Sequence, residues 1–269
     1  MVTRNTKYYL DGYLEKEVGT IQRRLKRKWD CVGIFDGREG GGKTTLAFQV
    51  CKAIDPTFNI NRVCFSEKQF YEQIINATSG MAICLDEAMN VFFSRASMSR
   101  TNISMVRVLA ECRKRNLFLA LVMPSYFEMD RYPALHRASF LCHIYAMPTA
   151  KGDMARGYFR WYDRKAKKKL YLLGKKFMSY GVSKPTFYGR FVKKFVVDEK
   201  EYEAKKDLAL MDMQREVVGK REKFWKDKCK KLYLELRKCK GMTMEKFIKY
   251  LKGIGISCNK QDLVEENNE

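Results

Sequence analysis

The sequence predicts an α/β fold, a mostly parallel sheet flanked by helices, with a β-hairpin and a basic helical C-terminal extension added. Three observations predict it. A short apolar run, Cys31 to Phe35, leads into Gly37-Arg38-Glu39-Gly40-Gly41-Gly42-Lys43-Thr44-Thr45 and then into the helical pattern that opens Leu46-Ala47-Phe48. A second apolar run, Met81 to Leu85, ends in two acids, Asp86 and Glu87. Short β-type runs then alternate with helical ones, the arrangement that builds parallel sheets.

Taken in order, an amphipathic segment from Tyr13 to Lys28 makes residues 1–29 a helical N-terminal piece. Residues 30–197 form the core. After the first strand, loop and helix, Pro56 breaks the chain; Arg62 to Phe65 reads as a short strand. Ser66-Glu67-Lys68-Gln69 has the capping-box form and starts a helix through Ala77. The acid-ended strand follows. Phe92 to Thr101 is a polar, serine-rich connection, Ile103 to Arg115 a helix, and Leu117–Met123 and Phe140–Tyr145 two strands. Gly157 to Tyr162 and Lys169 to Leu173 flank a basic turn and read as the two strands of the added hairpin. Residues 198–269 are the basic helical extension. Its long helix runs from Asp198 to Lys240, with Met211, Val218, Trp225, Leu232 and Cys239 spaced by seven. The facing positions are often charged, which favours partial packing against the core over a free coiled coil. Residues 243–264 read as two short helices in a hairpin, with a helix-turn-helix as the alternative.

The glycine-rich stretch fits the phosphate-loop pattern G-x-x-x-x-G-K-[ST] at every required position, with the strand before it and the helix after it that the pattern needs. Glycines let consecutive backbone N–H groups turn toward phosphates, and the helix adds the positive end of its dipole. Residues Gly37 to Thr45 are thus the candidate nucleotide cradle, Lys43 the cation for the outer phosphates, and Thr44 a Mg²⁺ ligand. Such a site needs an acid at the end of a neighbouring buried strand. Asp86 fits the metal shell, and the adjacent Glu87 fits a base that polarises a water. A small-molecule kinase has no general need for that second acid, so hydrolysis coupled to motion is favoured.

Composition narrows the class. The chain has 269 residues, 46% of them hydrophobic, enough for one α/β core and an appendage. No apolar run approaches the roughly 20 residues that cross a bilayer. The polar N-terminus has no secretory apolar core, and a cytoplasmic location is expected. The nine cysteines lack zinc-site spacing and read as small reduced hydrophobes. His136 and His143 have no ligand-like partner, so no metal other than nucleotide-bound Mg²⁺ is expected. Net charge is +22, of which residues 151–269 carry +15 and residues 1–150 carry +7. Basic clusters at Arg23 to Lys28, Arg164 to Lys169 and Lys226 to Lys231 point to a polyanion, nucleic acid ahead of anionic lipid. Charge alone carries no sequence-specific reading.

The P-loop, Leu85-Asp86-Glu87-Ala88, and the run from Leu109 to Ser125 together resemble additional-strand P-loop ATPases of the FtsK/HerA clan, within it zonular-occludens-toxin-type and archaeal viral genome-packaging ATPases. The resemblance covers residues 30–150. It implies an ATP- and Mg²⁺-dependent oligomeric ring acting on double-stranded DNA of a virus or mobile element, in the host cytoplasm if viral, with a capsid or replication protein as a further partner. It also implies a polar sensor of the terminal phosphate after the strand ending at Met123. Glutamine is common there; here Ser125 stands in the matching place, after Pro124. An arginine from one subunit completes the next subunit's site, and Arg113 and Arg115 are the candidates, with Arg95 and Arg100 behind them. Two functions follow from different classes: an ATP-hydrolysing motor that packages or translocates DNA, favoured by Glu87, and a nucleotide-gated DNA-binding loader or adaptor with slow hydrolysis, favoured by the missing glutamine.

Overall fold

The computed structural model describes residues 8–89, 109, 112–150, 152–253, 256 and 260–263. They divide into two compact units, one ending at Ala204 and one beginning at Lys205.

The first unit is built on a seven-stranded sheet in the order β2-β3-β4-β1-β5-β6-β7. The strands are β1 (Cys31–Gly37), β2 (Val63–Cys64), β3 (Ala82–Leu85), β4 (Phe118–Met123), β5 (Phe140–Pro148), β6 (Met154–Tyr162) and β7 (Phe187–Arg190). The first five positions in the order are mutually parallel; β6 and β7 add antiparallel to β5. β4 lies between β1 and β3, so the acid-ended strand is one strand removed from the loop-bearing one and not its direct neighbour. The expected α/β class, with its mostly parallel sheet, is what the chain adopts. Every residue of β1, β3 and β4 is buried, as strands covered on both faces require.

Local chemistry explains the flanking helices. α1 (Gly12–Lys26) starts where the Asp11 carboxylate accepts from the N–H groups of Tyr13 and Leu14. It buries Leu14, Val18, Ile21 and Leu25. Its Gln22 side chain donates to the carbonyls of Ala53 and Ile54, closing the end of α2 (Lys43–Ile54). Ser66 caps α3 (Glu67–Asn76) by accepting from Gln69 N–H, and Gln69 Oε1 accepts in return from Phe65 N–H. In β1, Gly33 leaves room for the Phe140 ring, which a Cβ there would meet at 2.2 Å. Phe140 in turn stacks on Trp161 at 3.9 Å between ring centres.

The hairpin differs from its expected pairing. Gly157 to Tyr162 does form a hairpin strand, but its partner is β5, and the run from Arg164 to Gly174 is a helix, α4. Asp163 caps it by accepting from Ala166 N–H, a start signal that a basic-turn reading overlooks. Its apolar residues at Leu170 and Tyr171 face the core, together with Lys167. The helix expected over Ile103 to Arg115 lies largely outside the described residues; within them, Cys112–Arg115 is a single 3₁₀ turn. Arg95, Arg100 and the whole of the Phe92 to Thr101 connection also lie outside.

α5 (Glu199–Lys240) crosses from the first unit into the second, which adds α6 (Met244–Gly253) and a 3₁₀ turn at Lys260–Leu263. Cys229 and Tyr233 of α5 pack with Phe247, Leu251 and Leu263. Of the seven-spaced residues, Met211, Trp225 and Leu232 are exposed and the side chains of Val218 and Cys239 lie outside the described ones; Cys229 and Tyr233, four apart, make the packed face. Of the second helix of the 243–264 motif, residues 260–263 form the 3₁₀ turn and the remaining four lie outside the described residues. Among the described residues no helix is long and apolar enough to cross a membrane.

Candidate nucleotide site

β1 delivers the chain to the site. Gly37 ends the strand at φ 144°, and a Cβ there would stand 2.1 Å from the carbonyl oxygen of Ile144 on β5. Only glycine fits that close approach. Gly40 and Gly42 follow at φ 67° and 96°, in the left-handed region, and turn the loop over the start of α2. Arg38, Glu39 and Gly40 are exposed at the loop's crest, and Gly41 to Thr45 are half-buried at its base. The whole run Gly37 to Thr45 therefore forms one cradle opening on the N-terminus of a 12-residue helix. Lys43 folds back, its Nζ donating to Arg38 O at 3.0 Å. Burial pulls the Lys43 amine below its ordinary value, while Asp86, Glu87, Glu39 and Asp36 act to raise it.

The two acids arrive from β3. Asp86 is buried and accepts from the Thr44 hydroxyl, 3.3 Å to Oδ2 and 3.5 Å to Oδ1. A hydroxyl and a carboxylate converging at a helix start suit a hard, oxygen-seeking cation such as Mg²⁺. Glu87 is half-buried with a left-handed backbone, φ 60°, unusual for a glutamate, and Ala88 N–H donates to Val122 O on β4. The turn is thus held against the neighbouring strand in a conformation it would not adopt unaided.

Two further groups belong here that the sequence did not single out. Tyr202, in the first turns of α5, donates its hydroxyl to Asp86 Oδ2 at 2.6 Å. Its ring sits among Phe48, Phe65 and Phe195. Burial and Asp86 push its pKa well above the usual phenol value. The segment leading to it is strapped to α2: the Gln49 side chain donates to Val192 O and Lys194 O, each at 2.8 Å, and Phe191 lies against Gly42. The second group is Asp36, buried immediately before Gly37. It accepts from Tyr126 N–H at 2.9 Å and from the Tyr180 hydroxyl, and its Oδ1 is 3.0 Å from His143 Nδ1. Ser125 follows the end of β4 and acts to lower the Tyr180 pKa, against burial and Asp36, which raise it. No local pattern marks either group, because 116 residues separate Tyr202 from Asp86 and 144 separate Tyr180 from Asp36.

The arginine candidates lie elsewhere in this chain. Arg113 and Arg115 precede β4, at the end of the sheet where the parallel strands begin, whereas the loop follows the end of β1. Arg115 donates to Ala77 O at 3.2 Å. Among the described residues no cluster of three or more metal-ligating side chains occurs.

The sequence matches no protein-family model, and no curated protein resembles it. Solved structures do resemble it in fold. The N-terminal domain of zonular occludens toxin from Neisseria meningitidis is 15% identical, with a TM-score of 0.39, over 65% of this chain and 98% of that one. The genome-packaging NTPase B204 of Sulfolobus turreted icosahedral virus 2 is 13% identical, with a TM-score of 0.35, over 51% and 94%. B204 of Sulfolobus turreted icosahedral virus, described as a DNA-packaging ATPase, gives 14% and 0.36 over 52% and 95%. By its own strand order the chain has a mostly parallel α/β sheet in which β4 separates the loop-bearing strand β1 from the acid-ended strand β3.

Proposed function

We propose that the chain is a Mg²⁺-dependent ATPase that drives a nucleic-acid motor, packaging or translocating double-stranded DNA of a virus or mobile element as an oligomeric ring. The observation that carries the chemistry is the meeting of Thr44 and Asp86 at the base of the glycine cradle, with Glu87 beside them. In that reading Lys43 and the loop N–H groups hold the outer phosphates. Mg²⁺ bound at Thr44 and Asp86 would offset phosphate charge. Glu87 accepts a proton from water as its oxygen bonds to the terminal phosphorus, and the bond to the bridging oxygen breaks to release ADP. Arg113 or Arg115 of one copy serves the next copy's site, and Ser125, through Tyr180, senses the terminal phosphate. The charge of +22 supports a polyanionic partner.

Purified protein assayed for ATP hydrolysis with and without duplex DNA tests this reading; DNA-stimulated turnover is expected. Glu87→Gln should keep ATP and Mg²⁺ but lose turnover by about 10²-fold or more. Asp86→Asn should weaken Mg²⁺-dependent nucleotide binding. Normal turnover in both variants would refute the strand-end assignment.

A second reading, a nucleotide-gated DNA-binding loader or adaptor with slow hydrolysis, draws on Tyr202. Its hydroxyl holds the carboxylate a metal would need, so binding of Mg²⁺ and nucleotide competes with a packed contact. Tyr202→Phe removes that hydrogen bond and keeps the ring. It should tighten Mg²⁺-dependent nucleotide binding by about tenfold, the scale of one hydrogen bond to a charged group. Isothermal titration with and without EDTA reads the difference. Weaker Mg²⁺-dependent binding in the variant would instead make Tyr202 part of the metal's surroundings.

A further inference from the structure

A cavity of about 970 Å³ opens at the end of the sheet away from the nucleotide cradle, and shares no lining residue with it. It is framed by the start of β5 (Phe140), the end of β6 (Trp161), the turn between α1 and β1 (Trp29, Asp30) and the start of α4 (Asp163 to Lys165). Because β6 runs antiparallel to β5, its end meets the start of β5 here. The topology therefore brings together two basic clusters more than a hundred residues apart in sequence.

Six cations line this cavity: Arg24, Arg27, Arg113, Arg137, Arg164 and Lys165. Three acids accompany them, and each has a local task or setting. Asp30 pairs with Arg137, Asp163 caps α4, and Glu17 faces Arg24 with its carboxyl pushed up, mainly by burial. The walls thus retain an excess of positive charge. Arg137 is nearly buried, and its Nε has no hydrogen-bond partner among the described residues. Planar surfaces alternate with the charges. The Trp29 indole is 65% exposed, though a tryptophan is ordinarily well covered, and Tyr132 packs against His136 at 5.8 Å between ring centres.

We propose that this cavity binds a single strand of nucleic acid, its arginines on backbone phosphates and a base stacked on Trp29. Arginine on phosphate combined with an open aromatic face is how proteins grip single strands without reading sequence. An acidic peptide would satisfy the cations and leave Trp29 without a partner. A free nucleotide would use one or two of the cations, whereas they stand on four separate segments of the chain. The proposal rests on the nucleic-acid reading above and adds to the duplex partner a place for a single strand on the first unit.

The test uses the full chain and a short oligothymidylate, followed by tryptophan fluorescence in a Trp225→Phe background, with Trp29→Phe in that background giving the signal of Trp161 alone. Quenching is expected, with log affinity falling linearly with log salt. Trp29→Ala should weaken binding about tenfold. Arg24→Gln with Arg27→Gln should reduce the salt slope by about 0.7 for each phosphate no longer neutralised. ATP turnover without nucleic acid and the thermal midpoint should hold in both variants, since neither changes the cradle. Equal binding by both variants and the parent would overturn the cavity assignment and leave the motor reading standing. Failure of the parent to bind either oligothymidylate or duplex at near-physiological salt would remove both. Thymidine monophosphate binding as tightly as the oligomer, or polyglutamate competing equally well, would overturn the strand.

Discussion

A Lys43→Ala chain is expected to lose ATP turnover by about two to three orders of magnitude, the scale on which removal of one preorganised charge stabiliser acts. Its fold should survive. Lys43 is a point charge for phosphate and fills no core space; its amine donates to Arg38 O, on the exposed crest of the loop. Burial already works against its charged form, so the folded chain gives up little when the ammonium is removed. Circular dichroism melts without nucleotide should therefore match the parent to within a few degrees, while nucleotide binding is lost. Unchanged hydrolysis in a protein of verified purity would sink the assignment of the cradle. A collapsed melting point would mean that Lys43 is structural, held by the four carboxylates around it, and the functional loss would then say nothing about phosphate.

The parts of this molecule readable in the sequence are those whose signals are local. Gly37, Gly40 and Gly42 announce a loop because their positive-φ backbones strain a residue that carries a Cβ, and Lys43 and Thr44 follow at fixed spacing on the helix that the loop starts. β1, β3 and β4 are legible as apolar runs because both faces of each are covered. The placement of β4 between β1 and β3 is not readable from any run, since strand order is set by which helices pack on which face. The same holds for Tyr202 and for the Asp36, Tyr180 and His143 cluster, which are assembled by contacts across more than a hundred residues. The error at Arg164 to Lys169 has a different origin. Four lysines and an arginine in a short span look like a solvated turn, yet the run starts with a good capping aspartate and buries every third or fourth residue.

Lys167 is where that misreading has its largest energetic consequence. The sequence groups it with the phosphate-gripping charges, but it is wholly buried, its amine donating to Ala134 O at 2.6 Å; Arg164, Lys165, Lys168 and Lys169 are the members of the cluster that remain open to solvent. Burial, with Arg164 and Lys168 adding repulsion, lowers its pKa to about 7. In the unfolded chain the amine holds its proton up to about 10.4. Between these values the unfolded state binds the extra proton, so stability rises with pH across the window from about 7 to about 10. Below it, both states are charged and the folded one carries the full cost of a buried ammonium, on the order of 4 kcal/mol. Lys167→Met keeps the length and removes the charge. The Ala134 carbonyl keeps a donor, because the Tyr126 hydroxyl also reaches it at 3.2 Å. The variant should therefore be more stable than the parent by several kcal/mol at pH 6, and the advantage should shrink steadily toward pH 10. Urea melts of both proteins at pH 6, 8 and 9.5 measure that difference and cancel the titration of every group the two share. A difference that does not change with pH, or a variant less stable at pH 6, would show that Lys167 is held charged by partners that repay its burial.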